Sequence, residues 1–227
     1  MEARAGEFLV LEGGRAAGKT KLLEIAGARR RPQSGTVCIA DHDLGTLQRD
    51  SLPFVRRNVG FVEARPAFIS QISVLDNVML PLGACAEPVA WAREAALRAL
   101  GKVGAVGLAT WAPCALSASE LRLAGIARAL AGTPPLLLLD DPSASLTAAD
   151  SGAVLSVLFG AVESGAAVVC ASADLAFVAA AVRGGARRLR LEGGCLLGGP
   201  ASMTPSMSVV AGGRASERAS ARREALP

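Results

Sequence analysis

Apolar residues in this chain fall into short unbroken runs, separated by longer stretches in which they recur every three or four positions. Short unbroken runs match strands buried on both faces, and the wider spacing matches helices with one apolar face. The runs predict strands at Phe8 to Leu11, Thr36 to Ala40, Val59 to Val62, Pro135 to Leu139 and Ala167 to Ala171. The periodic stretches predict helices at Lys19 to Ala28, with Leu22, Leu23 and Ile25 as the apolar face, and at Pro88 to Val103, Glu120 to Leu130 and Ala148 to Glu163. Residues 74 to 131 carry no strand signal and read as several helices in succession. Strands alternating with helices on either side of a purely helical stretch imply an α/β sheet with a helical insertion in its middle.

The longest nearly apolar stretch, Gly165 to Val182, approaches the length that spans a bilayer. It holds Asp174 and divides into a β-rich half and an Ala-rich half, so a buried strand followed by a helix accounts for it. After Pro200 the periodicity ends, and Arg214, Arg218, Arg222 and Arg223 outnumber Glu217 and Glu224. Residues 200–227 are therefore expected to be a disordered basic tail behind a single domain at 1–199.

The first strand runs directly into Gly13-Gly14-Arg15-Ala16-Ala17-Gly18-Lys19-Thr20, which fits the phosphate-loop pattern G-x-x-x-x-G-K-[ST] and opens the first helix. Small residues let successive backbone N–H groups curl around phosphates, Lys19 adds a point charge, and the Thr20 hydroxyl can ligate Mg²⁺ at the helix N-terminus. The run Leu136-Leu137-Leu138-Leu139-Asp140-Asp141 supplies the complement. An apolar strand delivers Asp140 to the sheet edge, where it can hold the Mg²⁺ water shell beside Thr20. The pair of motifs, about 120 residues apart, is far more specific than either alone.

Composition narrows the partners. A chain of 227 residues with 51% hydrophobic content can bury a full core. The net charge of +4, with no Tyr and only two Trp, leaves no basic-aromatic surface, so nucleic acid is not expected as a partner. Five cysteines in isolated positions, without C-x-x-C spacing, indicate neither a zinc site nor a disulfide framework, and fit reduced thiols in the cytoplasm. Glu2, Arg4 and Glu7 before a short apolar run do not read as a signal peptide.

Five further segments carry a resemblance to a known family. Leu116-Ser117-Ala118-Ser119-Glu120 followed by Gly125-Ile126-Ala127-Arg128-Ala129-Leu130 resembles the signature helix of ATP-binding cassette (ABC) proteins, L-S-G-G-E then A-I-A-R-A-L. Asp140-Asp141-Pro142-Ser143 resembles the family's D-E-P-T, and Ala171-Ser172-Ala173-Asp174 its A-T-H-D. Val59-Gly60-Phe61-Val62 and Ser73-Val74-Leu75-Asp76-Asn77-Val78-Met79-Leu80-Pro81-Leu82 resemble the segments flanking its glutamine loop. The Asn-Val-x-Leu-Pro-Leu piece is most similar to the cell-division (FtsE-like) branch, with the lipoprotein-release (LolD-like) branch close behind.

The resemblance implies a P-loop NTPase (RecA-like) core at 6–64 and 133–199 with an ABC-type α-helical subdomain at about 65–132. It implies Mg²⁺ and ATP held by Gly13 to Thr20 and Asp140, and a head-to-tail homodimer or heterodimer in which Ser117 serves the opposite subunit's ATP. It further implies an integral-membrane permease partner, FtsX-like or a transporter subunit, docked near Arg65 to Val78. The protein would then be cytoplasmic and peripheral on the inner face of the plasma membrane.

Departures from the family pattern fall on the residues that perform hydrolysis. Asp141 stands where the family has a catalytic glutamate, and is the one candidate general base, though one methylene short. A base must sit about 2.6–3.2 Å from its proton, and misplacement by about 1 Å can cost on the order of 10²-fold. Ala173 replaces the switch histidine, and the only histidine, His42, lies elsewhere between Asp41 and Asp43. Ala64 replaces the metal-linked glutamine, with Gln71 on the loop's far arm, while Ala118 and Ser119 replace the signature glycines and Thr147 a loop aspartate. No adenine-stacking aromatic precedes the loop, because Phe8 belongs to the strand.

The expected function is an ATP-binding subunit that couples ATP binding and slow hydrolysis to a permease. The alternative is a non-hydrolysing relative with a structural or regulatory role. A nucleotide kinase, suggested by Phe8 to Gly14 alone, has no place for the signature-like helix. Lys21 reads equally as a contact to the α-phosphate or as a solvent-facing lysine, while the Arg29-Arg30-Arg31 run, Trp91 and Trp111 are read as a helix-end charge cluster and packing residues.

Overall fold

The computed structural model describes residues 1–39, 42–83, 88–197 and 206–210, the last five through their backbone. Strand β1 (Glu2–Arg4) and β2 (Phe8–Glu12) lead into helix α1 (Lys19–Ala26), then β3 (Thr36–Ile39), β4 (His42–Asp43), α2 (Leu52–Arg57) and β5 (Val59–Val62). The insertion holds α3 (Val74–Gly83), α4 (Val89–Lys102) and α5 (Ala118–Leu130). The chain then returns to β6 (Leu136–Asp140), α6 (Ala148–Glu163), β7 (Ala167–Ser172), α7 (Leu175–Arg183), β8 (Arg187–Glu192) and β9 (Cys195–Leu197), with β10 at Ser206–Val210.

The main sheet has the order β5-β6-β7-β2-β8-β9, parallel except for the β8–β9 hairpin. Its central strands are buried on both sides, as their unbroken apolar runs require. Because successive side chains point to opposite faces, Val10, Leu137, Leu139 and Cys170 line one face, and Leu9, Leu11, Leu136, Leu138 and Val169 the other. The second face packs on Leu23 and Ala26 of α1. The first face joins α6 and α7 and also Val74, Val78, Ile126 and Leu130 of the insertion in one continuous core. The inserted helices therefore share the core of the sheet.

The register brings four chain exits to one edge. Glu12 pairs with Ser172, Asp140 with Ala171, and Val62 with Leu139, so the segments after β2, β5, β6 and β7 all emerge at the C-terminal ends of parallel strands. That edge is where open α/β sheets present their ligand sites.

Two regions differ from the sequence expectation. No strand was expected before Phe8, yet Glu2–Arg4 forms β1, in which only Ala3 is buried, too little to give a periodic signal. Residues 206–210 were expected to belong to a disordered tail, yet β10 lies between β1 and β3, parallel to both. Open backbone donors and acceptors on β1 and β3 supply partners that local composition does not reveal. The remainder of that tail, 200–205 and 211–227, the last two residues of the expected domain, 198–199, and the end of the expected strand at Ala40 lie outside the described residues.

The entry into α3 is held by Asn77, which is fully buried. Its Oδ1 accepts from the Ile69 N–H at 2.8 Å, and its Nδ2 donates to the carbonyls of Ile69, Ile72 and Ser73 at 3.0, 3.3 and 2.9 Å. Asn77→Ala strands these backbone groups and should lower stability by about 2–3 kcal/mol in urea unfolding, with Asn77→Leu no better.

Candidate functional site

The loop between β2 and α1 is shaped by its small residues. Ala16 and Gly18 adopt left-handed backbone conformations, with φ of 61° and 99°. A Cβ at Gly13 would meet the Leu191 carbonyl oxygen of β8 at 2.5 Å, so no larger residue fits there. Gly14 has open space around it and Arg15 is exposed, whereas Ala17 is buried and its carbonyl accepts from the Gly194 N–H at 3.1 Å. The β8–β9 turn thereby braces the loop from behind.

Lys19 is buried, and its Nζ donates to the Gly13 and Gly14 carbonyls at 2.6 and 3.0 Å. An ammonium parked on two carbonyls of a glycine-rich loop is free to exchange them for phosphate oxygens at little cost. Thr20, at the start of α1, donates from Oγ1 to Asp140 Oδ2 at 2.7 Å. This bond crosses β7, which separates β2 from β6 in the sheet. Burial, aided by the charge of Asp141, raises the Asp140 carboxyl above its ordinary range, while the Thr20 bond and the charges of Lys19 and Arg122 oppose the rise. An exposed hydroxyl bonded to a buried carboxylate beside a lysine-bearing loop fits hard-cation chemistry, with Thr20 and Asp140 as the residues that could hold Mg²⁺ and the loop amides those that could hold phosphates.

Asp141 has a left-handed φ of 47°. Its N–H donates to the Ala171 carbonyl at 2.8 Å, and its Oδ1 accepts from the Ala173 N–H at 3.1 Å. The carboxylate is thus turned onto the segment after β7, at the position where the sequence expectation had noted a missing histidine. Ala173 contributes a backbone amide and no side-chain chemistry. The neighbouring Asp174 caps α7, its Oδ1 accepting from the Ala176 and Phe177 N–H groups at 3.0 and 3.3 Å.

Ser117 is exposed and caps α5. Its Oγ donates to Glu120 Oε2 at 2.6 Å, Glu120 Oε2 accepts from the Ser117 N–H at 2.8 Å, and Ser119 Oγ lies 3.1 Å away. These bonds to Ser117 hold the Glu120 carboxyl below its usual range. The fold therefore brings Gly13 to Thr20, Asp140 and Asp141 together at one edge, while no hydrogen bond joins Ser117 to them among the described residues.

One residue at the site escaped the sequence reading. Arg122 is buried on α5, its guanidinium donating to the Glu63 carbonyl at 2.8 Å and to the Ala64 carbonyl. The signal available was a charged residue between Leu121 and Leu123 inside the signature-like helix, which local patterning alone reads as a solvated face.

A parallel α/β sheet with a lysine-bearing phosphate loop after one strand and a buried aspartate after another defines a P-loop nucleotide-binding protein. The chain belongs to the ABC transporter family: a family model of that description matches residues 1–144. Among curated relatives, the lipoprotein-releasing system ATP-binding protein LolD of Paramagnetospirillum magneticum is 37% identical over 147 residues, which are 64% of this chain and 65% of that protein. The cell division ATP-binding protein FtsE of Escherichia coli is 33% identical over 197 residues, covering 86% of each. Among solved structures, a dimeric post-hydrolysis state of an ATP-binding cassette bound to ADP and Pi matches with a TM-score of 0.79 at 30% identity, over 86% of this chain and 84% of that one. The ABC-cassette fold expected from the sequence is borne out.

The raised Asp140 carboxyl has a direct consequence for stability. A carboxyl whose folded-state value lies above its unfolded value favours folding only while protonated, and that contribution is lost as pH rises through the folded value. Once pH exceeds the folded value, the ionised group therefore opposes folding of the ligand-free protein. Asp140→Asn, which can still accept from Thr20, should be more stable than the parent at pH 7 in ligand-free urea titrations. The gain should shrink as pH is lowered into the carboxylate range.

Proposed function

We propose that this chain is the ATP-binding subunit of an ABC-type complex, coupling ATP binding and slow hydrolysis to an integral-membrane permease. The observation that carries this reading is the Thr20–Asp140 bond at 2.7 Å beside a loop whose lysine rests on its own carbonyls. Gly13, Gly14, Arg15, Ala16, Ala17 and Gly18 form the loop that takes the phosphates of ATP, Lys19 neutralises them, and Thr20 with Asp140 holds the Mg²⁺. Bound Mg²⁺ supplies Lewis-acid charge neutralisation at the phosphates. Lys19, now on the Gly13 and Gly14 carbonyls, would be the group that meets phosphate oxygens, and Thr20 and Asp140, now bonded to each other, would be the residues that hold the cation.

Ser117, exposed at the start of α5, serves the ATP of an opposite subunit in a homodimer or heterodimer. The printed descriptions of the relatives, cell division and lipoprotein release, support a partner in the membrane, FtsX-like or a transporter subunit. Among the described residues no helix is long and apolar enough to cross a membrane. In this reading the protein is cytoplasmic and peripheral on the inner face of the plasma membrane through its permease partner.

A second reading, a subunit that binds ATP without hydrolysing it, rests on the Ala173 N–H that occupies the Asp141 carboxylate. A base tied to the backbone and one methylene short is poorly placed to take a proton from water. Each lost transition-state contact typically costs on the order of 10²–10³ in rate, and such losses do not add simply.

Equilibrium titration of ATP·Mg²⁺ should show binding that Lys19→Ala weakens on the order of 10²-fold or more. Steady-state turnover should fall on the order of 10²-fold below the ~1 s⁻¹ low end of ordinary enzymes. If the parent chain turns over above the Lys19→Ala baseline with the permease present, the slow-ATPase reading stands; if the parent stays at that baseline, the non-hydrolysing reading replaces it. Failure of the parent chain to bind ATP would defeat both.

A further inference from the structure

Among the described residues β1 and β3 do not pair with each other. β10 stands between them, parallel to both, in the order β1-β10-β3-β4. Without it β1 has no strand neighbour in this sheet, and β3 keeps only β4, through the pairs Cys38–Asp43 and Ile39–His42. The two walls of the gap nevertheless have anchors of their own. Ala3, Val37 and Ile39 are buried in the core that holds Leu9 and Leu11 of β2 with Leu23 and Ala26 of α1. The Glu2 carbonyl accepts from Arg187 at 2.6 Å, and the Arg4 N–H donates to the Glu7 carboxylate at 2.9 Å, two fastenings of β1 that owe nothing to β10.

The register of β10 matches the burial pattern of those walls. Met207 stands beside Val37, and Val209 beside both Ile39 and Ala3, all three of them buried. Ser206 stands beside exposed Thr36, and Ser208 beside exposed Glu2 and half-buried Cys38. Apolar residues therefore fall where the wall residues enter the core, and serines where they do not, and a slip of one residue would reverse every position. Val210, beside exposed Arg4, ends the match. Strands in a sheet lie about 4.8 Å apart, so the gap is one strand wide and offers a ladder on each side. Where an extended segment adds to a sheet in this way, main-chain bonds supply affinity and alternate side chains supply specificity.

We propose that the gap between β1 and β3 is a preformed strand-acceptor site, and that its occupant is this chain's own segment 206–210. The site takes an extended, uncharged segment parallel to β1 and β3, with apolar residues two apart at the positions of Met207 and Val209. The segment is bound and not built in: residues 198–205 separate it from β9 in the chain, and both of its strand neighbours lie within the first 39 residues. β1 passes through residues 5–7 into β2 and so into the 13–20 loop, while β3 shares a core with α1, which follows that loop. Occupancy of the gap therefore clasps together the elements on the two flanks of the loop.

Hydrogen exchange on the full-length, ligand-free protein, resolved by peptide, tests the site. Met207→Asp and Val209→Asp together should speed exchange at least about tenfold at 1–5 and 36–39, while β6 and β7 keep the protection of the parent. A synthetic peptide with the sequence of residues 204–212, added to that variant at the millimolar concentration a short tether provides, should return both places to within about twofold of the parent. The same peptide carrying the two aspartates should not. Parent-like exchange at 1–5 and 36–39 in the double variant overturns the proposal. A native-sequence peptide that restores nothing overturns it as well, because the gap is then not preformed, and so does equal rescue by the aspartate peptide. If the double variant loses protection at β6 and β7 too, the single Val209→Ser variant takes its place, with the same readings. A parent whose protection at 36–39 falls on dilution together with a dimeric mass assigns the strand to a second copy and overturns the assignment to the chain's own segment.

Discussion

Thr20 and Asp140 are joined by a 2.7 Å hydrogen bond across a strand that belongs to neither, and the rest of the site is arranged around that bond. It forms only because β2, β7 and β6 lie side by side, parallel and in register, so that the loop after one strand and the last residue of another reach the same edge. The apolar runs that build those strands are therefore also what carry an aspartate into an interior that raises its carboxyl. Burial that suits a core is hostile to a lone charge, and the threonine hydroxyl and the lysine of the loop are its local relief. A cation with its phosphates would be a fuller one.

Around this bond the neighbouring polar side chains are engaged in holding backbone. Asp141 accepts from the Ala173 N–H, Arg122 donates to the Glu63 and Ala64 carbonyls, and Ser117 closes a capping box with Glu120. Polar groups left unpaired inside a fold are costly, so each of these side chains finds a partner. In this member of the ABC transporter family the loop and Asp140 are assembled at the sheet edge, while Asp141, Arg122 and Ser117 are engaged in backbone and capping contacts.

Much of the fold was legible in the chain. Val59–Val62, Leu136–Asp140 and Ala167–Ser172 match the expected strands to within a residue, and Ala148–Glu163 matches its expected helix at both ends, because each pattern answers to its own burial. Elements held by distant partners were not legible. β1 has a single buried residue, β10 completes a sheet with strands at the opposite end of the chain, and β8 is largely exposed, so none carries a periodic signature.

The site divides in the same way. Gly13 to Thr20 and Asp140 declare themselves in the sequence, because a phosphate loop needs small residues, a lysine and a hydroxyl at consecutive positions, and a metal-bearing strand needs an apolar run ending in a carboxylate. Residue type at fixed local spacing suffices for that chemistry. What Asp141 and Arg122 do was decided only when the chain folded. Their partners lie 32 and 58 or 59 residues away, and nothing local distinguishes a carboxylate aimed at water from one bound to an amide, or a solvated arginine from one buried on two carbonyls. Short-range pattern sets which groups are present at the sheet edge; tertiary contact sets which of them are free to act.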